Sequence, residues 1–163
     1  MKKTMLAVCF MAMALTAVGA ENTNSEQTAE VKVTATVVEP LELTTKEVKF
    51  GKVAKGSEKN APIENGEIVI KGQASEKVKI QFADGMTEDW KDTISGLTVA
   101  LKSKTNSNST TLTYSPELDP KLSQPLALES GEKKMTLKGN LLVPENAESG
   151  DYEGTLKVKV WYE

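Results

Sequence analysis

The stretch AEVKVTATVVEPLEL, Ala29 to Leu43, decides how this chain is read. In an extended backbone Ala29, Val31, Val33, Ala35 and Val37 fall on one face, and Glu30, Lys32, Thr34 and Thr36 on the other. A period of two is the pattern of a strand with one buried face. Valine and threonine branch at Cβ and favour pleated structure. Pro40 stops the run, because proline has no N–H for a ladder and holds its predecessor extended. Leu41 and Leu43 then resume the alternation. This apolar strand is set apart by one proline. It either pairs within its own domain or completes a sheet elsewhere.

The residues before it predict the compartment. Met1-Lys2-Lys3 is a basic head, Met5 to Val18 an apolar run, and Val18-Gly19-Ala20 a small-residue end. The pattern predicts a secretory signal peptide over residues 1–20, cleaved after Ala20. The run is too short to span a bilayer as a helix. Cys9 lies inside it rather than after it, which argues against a lipid-anchored cysteine. Residues 21–28 are polar without an apolar face and read as a flexible tail. Residues 29–39 are then the strand, and 40–163 the domain proper.

Cleavage leaves 143 of the 163 residues, enough for one domain with one core. The single cysteine leaves with the leader, so no disulfide is expected despite export. The whole chain carries a net charge of −3, and losing Lys2 and Lys3 takes it to −5. That sign disfavours binding a nucleic-acid backbone.

Further alternating segments follow: Val48–Val53, Ile68–Ile70, Val78–Phe82, Leu97–Leu101, Leu112–Tyr114, Met135–Val143 and Leu156–Tyr162. Gly, Pro and Asn turns separate them, and Pro116, Pro120 and Pro125 predict an irregular stretch to about Gln124. Beyond the leader no helical period persists over several turns. Short one-sided strands at this spacing predict an all-β, Ig-like sandwich of about seven strands. Lysines alternate with the apolar positions and keep outer faces wet.

Chemistry-bearing groups are sparse. The sequence has no histidine, so the commonest general base and a common zinc ligand are missing, and no cofactor or metal is expected. Ser130-Gly131-Glu132-Lys133 matches S-x-x-K, but that motif needs a helix, and here a glycine turn leads into a strand. Asp84, Glu88, Asp89 and Asp92 lack the ligand spacing of a calcium loop. Trp90 and Trp161 offer a sugar platform or simple packing. Asn108-Ser109-Thr110 fits a glycosylation sequon within a polar loop. An enzyme is not expected.

Two patches resemble chaperone–usher pilins. Val31 to Pro40, VKVTATVVEP, resembles the N-terminal segment of the alpha-clade fimbrial pilins, an alternating strand ending in an acidic residue and proline. At the other end Tyr162 is penultimate and Gly150 fourteenth from the end, similar to the pattern that pilin chaperones read. Gly150 to Thr155, GDYEGT, also looks like the turn into the last pilin strand.

The resemblance implies a sandwich lacking its last strand, in an exported structural subunit of an adhesive pilus at the cell surface. A periplasmic chaperone fills the gap first, and the N-terminal strand of the next copy or a related pilin then replaces it, with an outer-membrane usher as a further partner. Ala29, Val31, Val33, Ala35 and Val37 are then the donor-strand plugs. Leu156, Val158, Val160 and Tyr162 line the groove, with Gly150 and Tyr162 in the chaperone-recognition pattern. The second expectation is a self-contained secreted Ig-like binding module, carbohydrate being one ligand. Neither expectation names a small-molecule substrate.

Overall fold

The computed structural model describes residues 27–163; the leader, the cleavage site at Ala20 and most of the tail lie outside them. Residues Thr36–Glu163 pack as one unit. It is an all-β sandwich of nine strands: β1 Glu42–Lys46, β2 Gly66–Lys71, β3 Lys77–Asp84, β4 Val99–Ser103, β5 Leu112–Asp119, β6 Leu126–Ala127, β7 Glu132–Leu142, β8 Tyr152–Glu153 and β9 Leu156–Tyr162. One sheet has the order β1-β2-β7-β5-β4-β8, the other β6-β3-β9. Every pairing between them is antiparallel.

Alternation explains the layers. In β3, Val78, Ile80 and Phe82 are wholly buried while Lys77 and Lys79 are exposed. In β2 and β7, Ile68, Ile70, Met135 and Leu137 meet them from the facing sheet. A second cluster, Val99, Leu112, Tyr114, Leu141 and Val143, closes the other end. Each buried side chain of this size contributes about 1.5–3 kcal/mol. Outer faces carry lysine–carboxylate pairs such as Lys134–Glu67 and Lys71–Glu132, exposed and worth little individually.

Four sequence expectations need correction. Strand β5 runs through Pro116 to Asp119 rather than ending at Tyr114. Pro116 sits opposite Gly139. Gly139 adopts φ +131°, and a side chain there would collide with the Ser115 carbonyl oxygen, so glycine lets the partner backbone approach. Residues 48–53 form no strand; a single bridge, Lys49 to Glu64, replaces it. Two short strands, β6 and β8, were not anticipated. Lastly, residues 27–40 carry no strand pairing at all, where alternation predicted a strand over Ala29–Val37. Val31, Val33 and Val37 are 84%, 87% and 94% exposed.

Tyr114 gives the core a pH dependence. Its hydroxyl donates to the Lys138 carbonyl at 2.5 Å. Burial, reinforced by the Glu117 charge, pushes the hydroxyl well above its ordinary 10.0. The unfolded chain releases that proton near pH 10, so the contribution is complete below pH 10 and is lost as pH rises beyond it. Tyr114→Phe is expected to lower stability at pH 7 by about 1 kcal/mol and to flatten the fall in Tm above pH 10. Thermal melts from pH 7 to 11 check both.

Candidate functional site

The two edges of the three-stranded sheet differ. On the β3 side, β6 pairs with Lys77 and Val78. The Gln124 side chain then continues the cover, donating to the Ile80 and Asp92 carbonyls and accepting the Ile80 N–H at 3.2 Å. Beyond it Phe82 and Lys91 exchange two backbone hydrogen bonds of 2.9 and 2.8 Å. On the far side of β9, no strand pairs among the described residues.

Register identifies which groups are bare. The Gly85 N–H bonds Thr155 O at 2.7 Å, and the Glu163 N–H bonds Lys77 O at 3.0 Å. Antiparallel strands alternate between hydrogen-bonded and non-hydrogen-bonded pairs. The odd-numbered residues of β9 therefore bond β3, and the N–H and C=O groups of Leu156, Val158, Val160 and Tyr162 point to the open edge. β1 is the corresponding edge of the larger sheet. Lys49 and Glu64 exchange backbone bonds in its register, so Thr44 and Lys46 turn their backbone groups outward.

Side chains show the same incompleteness. Val160 and Val158 stand directly opposite Ile80 and Phe82, on the same face. The β3 members are wholly buried, yet Leu156, Val158, Val160 and Tyr162 are only partly so. Leu43, opposite buried Ile70 across β1–β2, is also exposed. Both edge strands thus turn apolar side chains toward a space that is not filled.

Between them lies an open groove of about 610 Å³. Lys46, Val48 and Phe50 form one wall, Leu156 and Val158 the other, and Ile68, Val99, Tyr114 and Leu137 the floor. Phe50 packs edge-on to Tyr114, ring centroids 5.4 Å apart. At one end stand Lys104 and Glu153, paired at 2.8 Å. Their hydrogen bond holds the Glu153 carboxyl below, and the Lys104 ammonium above, its ordinary range. The groove therefore has an apolar floor, polar and charged side chains such as Lys46, Glu47 and Glu67 in its lining, and an ion pair at that end. Its chemistry suits a peptide strand: unpaired backbone groups on the rims and apolar floor for alternate side chains.

The structure brings Leu156, Val158, Val160 and Tyr162 together on one strand face. Leu156 and Val158 line the open groove; Tyr162 instead closes the Gly72 end of the same face. Gly150, at φ +152°, sits in the turn before β8 and does not line the groove. The β1-side wall and the floor were missed from sequence; the Val48–Phe50 alternation was a signal, but nothing local says which sheet edge it borders. Ser130 precedes Gly131 at a turn into β7, and Lys133 lies in that strand, with no helix to join the two. Among the described residues no three acidic or cysteine side chains gather as a metal site. Trp90 and Trp161 share one lysine, Lys159, whose ammonium lies 4.4 Å from one ring centroid and 5.4 Å from the other.

No protein-family model matches the chain, and no match is found among curated proteins.

Proposed function

We propose that this protein is an exported structural subunit of a surface fibre, a fimbria-like polymer built by donor-strand exchange. Each copy's groove takes the Ala29–Val37 strand of a neighbour, with Ala29, Val31, Val33, Ala35 and Val37 as plugs. The observation that carries this reading is β9: wholly buried Ile80 and Phe82 on one side of the ladder, only partly buried Val160 and Val158 on the other, and a bare backbone edge beyond. Such an edge is a template for another strand. Strand Val31–Val37 matches the seven residues of β9 in length, and its valines lack a buried environment of their own.

A head-to-tail contact of this kind does not close and so propagates. Before assembly the groove needs a temporary occupant, the role that the pilin resemblance gives to a periplasmic chaperone, with an usher to pass subunits outward. The test is an unheated denaturing gel of the protein expressed with its native secretion partners. A ladder of multimers that collapses to one band on boiling is expected; a lone monomer band overturns the reading.

The tryptophans support a second reading, a secreted module that binds carbohydrate, because both rings gather at Lys159 on one surface. It requires a stable monomer without a chaperone and loss of glycan binding on Trp90→Ala.

A further inference from the structure

Just beyond β9 the Glu163 N–H bonds the Lys77 carbonyl and pins the strand's end to β3, so the Tyr162 side chain is carried on a fixed strand. Its hydroxyl donates to the Glu39 carbonyl at 2.7 Å and accepts the Gln73 N–H at 2.8 Å. Among the described residues, the first is the one hydrogen bond made by residues 36–40. Two further constraints act at the same point. Pro40 has a fixed φ, and Glu39 before it is restricted to extended geometry. Leu41 then packs beside Tyr162 over Gly72, where an added Cβ would lie 2.5 Å from the Tyr162 hydroxyl and 2.7 Å from Leu41 Cδ2. Gly72 therefore lets the three meet.

We infer that Tyr162 is a clasp that fixes the direction in which the N-terminal strand leaves each copy, and so makes the joint between neighbouring copies stiff. The partner is a second copy of this chain. In a fibre built as proposed above, on which this inference rests, residues 38–41 are the only covalent link between a domain and the strand it lends. The copy that receives the strand is delivered to the place where that link emerges. A polar cleft of about 520 Å³ opens there, lined by Glu39, Pro40, Glu42, Lys71, Gln73 and Ser130. Backbone and charged groups at its rim suit a wet, modest contact between copies, with the clasp setting its angle. Without the hydroxyl the Glu39 carbonyl loses its tether, the torsions of Val38 are released, and neighbouring copies swivel.

Tyr162→Phe tests this, since it keeps the ring in the core and removes only the hydroxyl. The fibres that the variant forms are compared with wild-type fibres in shape. By negative-stain microscopy their persistence length is expected to fall about twofold or more, one hydrogen bond being lost at every joint. An unchanged persistence length overturns the clasp. A wild-type chain that gives no ladder overturns the fibre reading instead, and the clasp is then judged on the full-length monomer by 15N relaxation. There the order parameters of residues 36–39 are expected to fall from about 0.85 to below about 0.6 in Tyr162→Phe; equal values overturn it. If Tyr162→Phe yields no fibre, the same measurement decides. Gly72→Ala, which wedges Leu41 from Tyr162, is expected to loosen the joint in the same direction.

Discussion

Val33→Asp is expected to abolish assembly while leaving the domain as stable as before. Val33 is 87% exposed and makes no strand pairing among the described residues, so a carboxylate there meets water. Surface substitutions of this kind change stability by about 0.5 kcal/mol or less. In a neighbour's groove the same carboxylate would leave water for a floor that includes Ile68 and Leu137, with the lining lysines, Lys46 and Lys104, on one wall and at one end. Burying an unpaired charge costs several kcal/mol, and every joint would carry that cost. The expected result is an unchanged melting curve for the monomer together with loss of the multimer ladder. A lowered Tm would mean that the strand belongs to its own domain, and an intact ladder would mean that Val33 is not a plug.

The second large effect comes from filling the groove within one chain. β9 ends at Tyr162, so a copy of Ala29–Val37 appended after Glu163 through a short turn returns antiparallel along the open edge. It would satisfy the bare groups of Leu156, Val158, Val160 and Tyr162 and cover what their partly buried side chains leave exposed. Each valine that enters the groove contributes about 1.5–3 kcal/mol before ordering costs. A net gain of about 3 kcal/mol raises Tm by roughly 10 °C at this size. The appended chain is also expected to leave the ladder, because its own strand competes at very high effective concentration. Appending the Val33→Asp form of the strand is the control and is expected to give neither effect. An appended wild-type strand that leaves Tm unchanged would show that the open edge of β9 does not accept it.

These two experiments address opposite sides of one contact, and their failures differ. Val33→Asp reads the lender, and the appended strand reads the borrower. Loss of assembly without stabilisation by the appended strand would point to a different acceptor surface.

Much of the sandwich was legible in the chain. Val78, Ile80 and Phe82 announced a strand with one dry face because side chains alternate across a pleated backbone, and β3 has that face wholly buried. Leu156, Val158, Val160 and Tyr162 announced β9 in the same way. Pro116 misled because proline ends most strands, whereas here Gly139 opposite it keeps the ladder together. Residues 29–37 misled in the other direction: the alternation is a strand's, but a strand needs a partner, and this segment has none among the described residues.

The sequence by itself determined the all-β class and the dry and wet faces of strands such as β3 and β7, since these follow from side-chain period and residue type. Only the tertiary structure decided which edges stay open. Strand order and hydrogen-bond parity depend on residues far apart in the chain, as when Gln124 covers Ile80 while nothing among the described residues covers Val160. The Tyr162–Glu39 contact joins the two ends of the domain across 123 positions, and no local pattern encodes it. An unfilled edge is a property of the whole sheet, and it exists only once the sheet has formed.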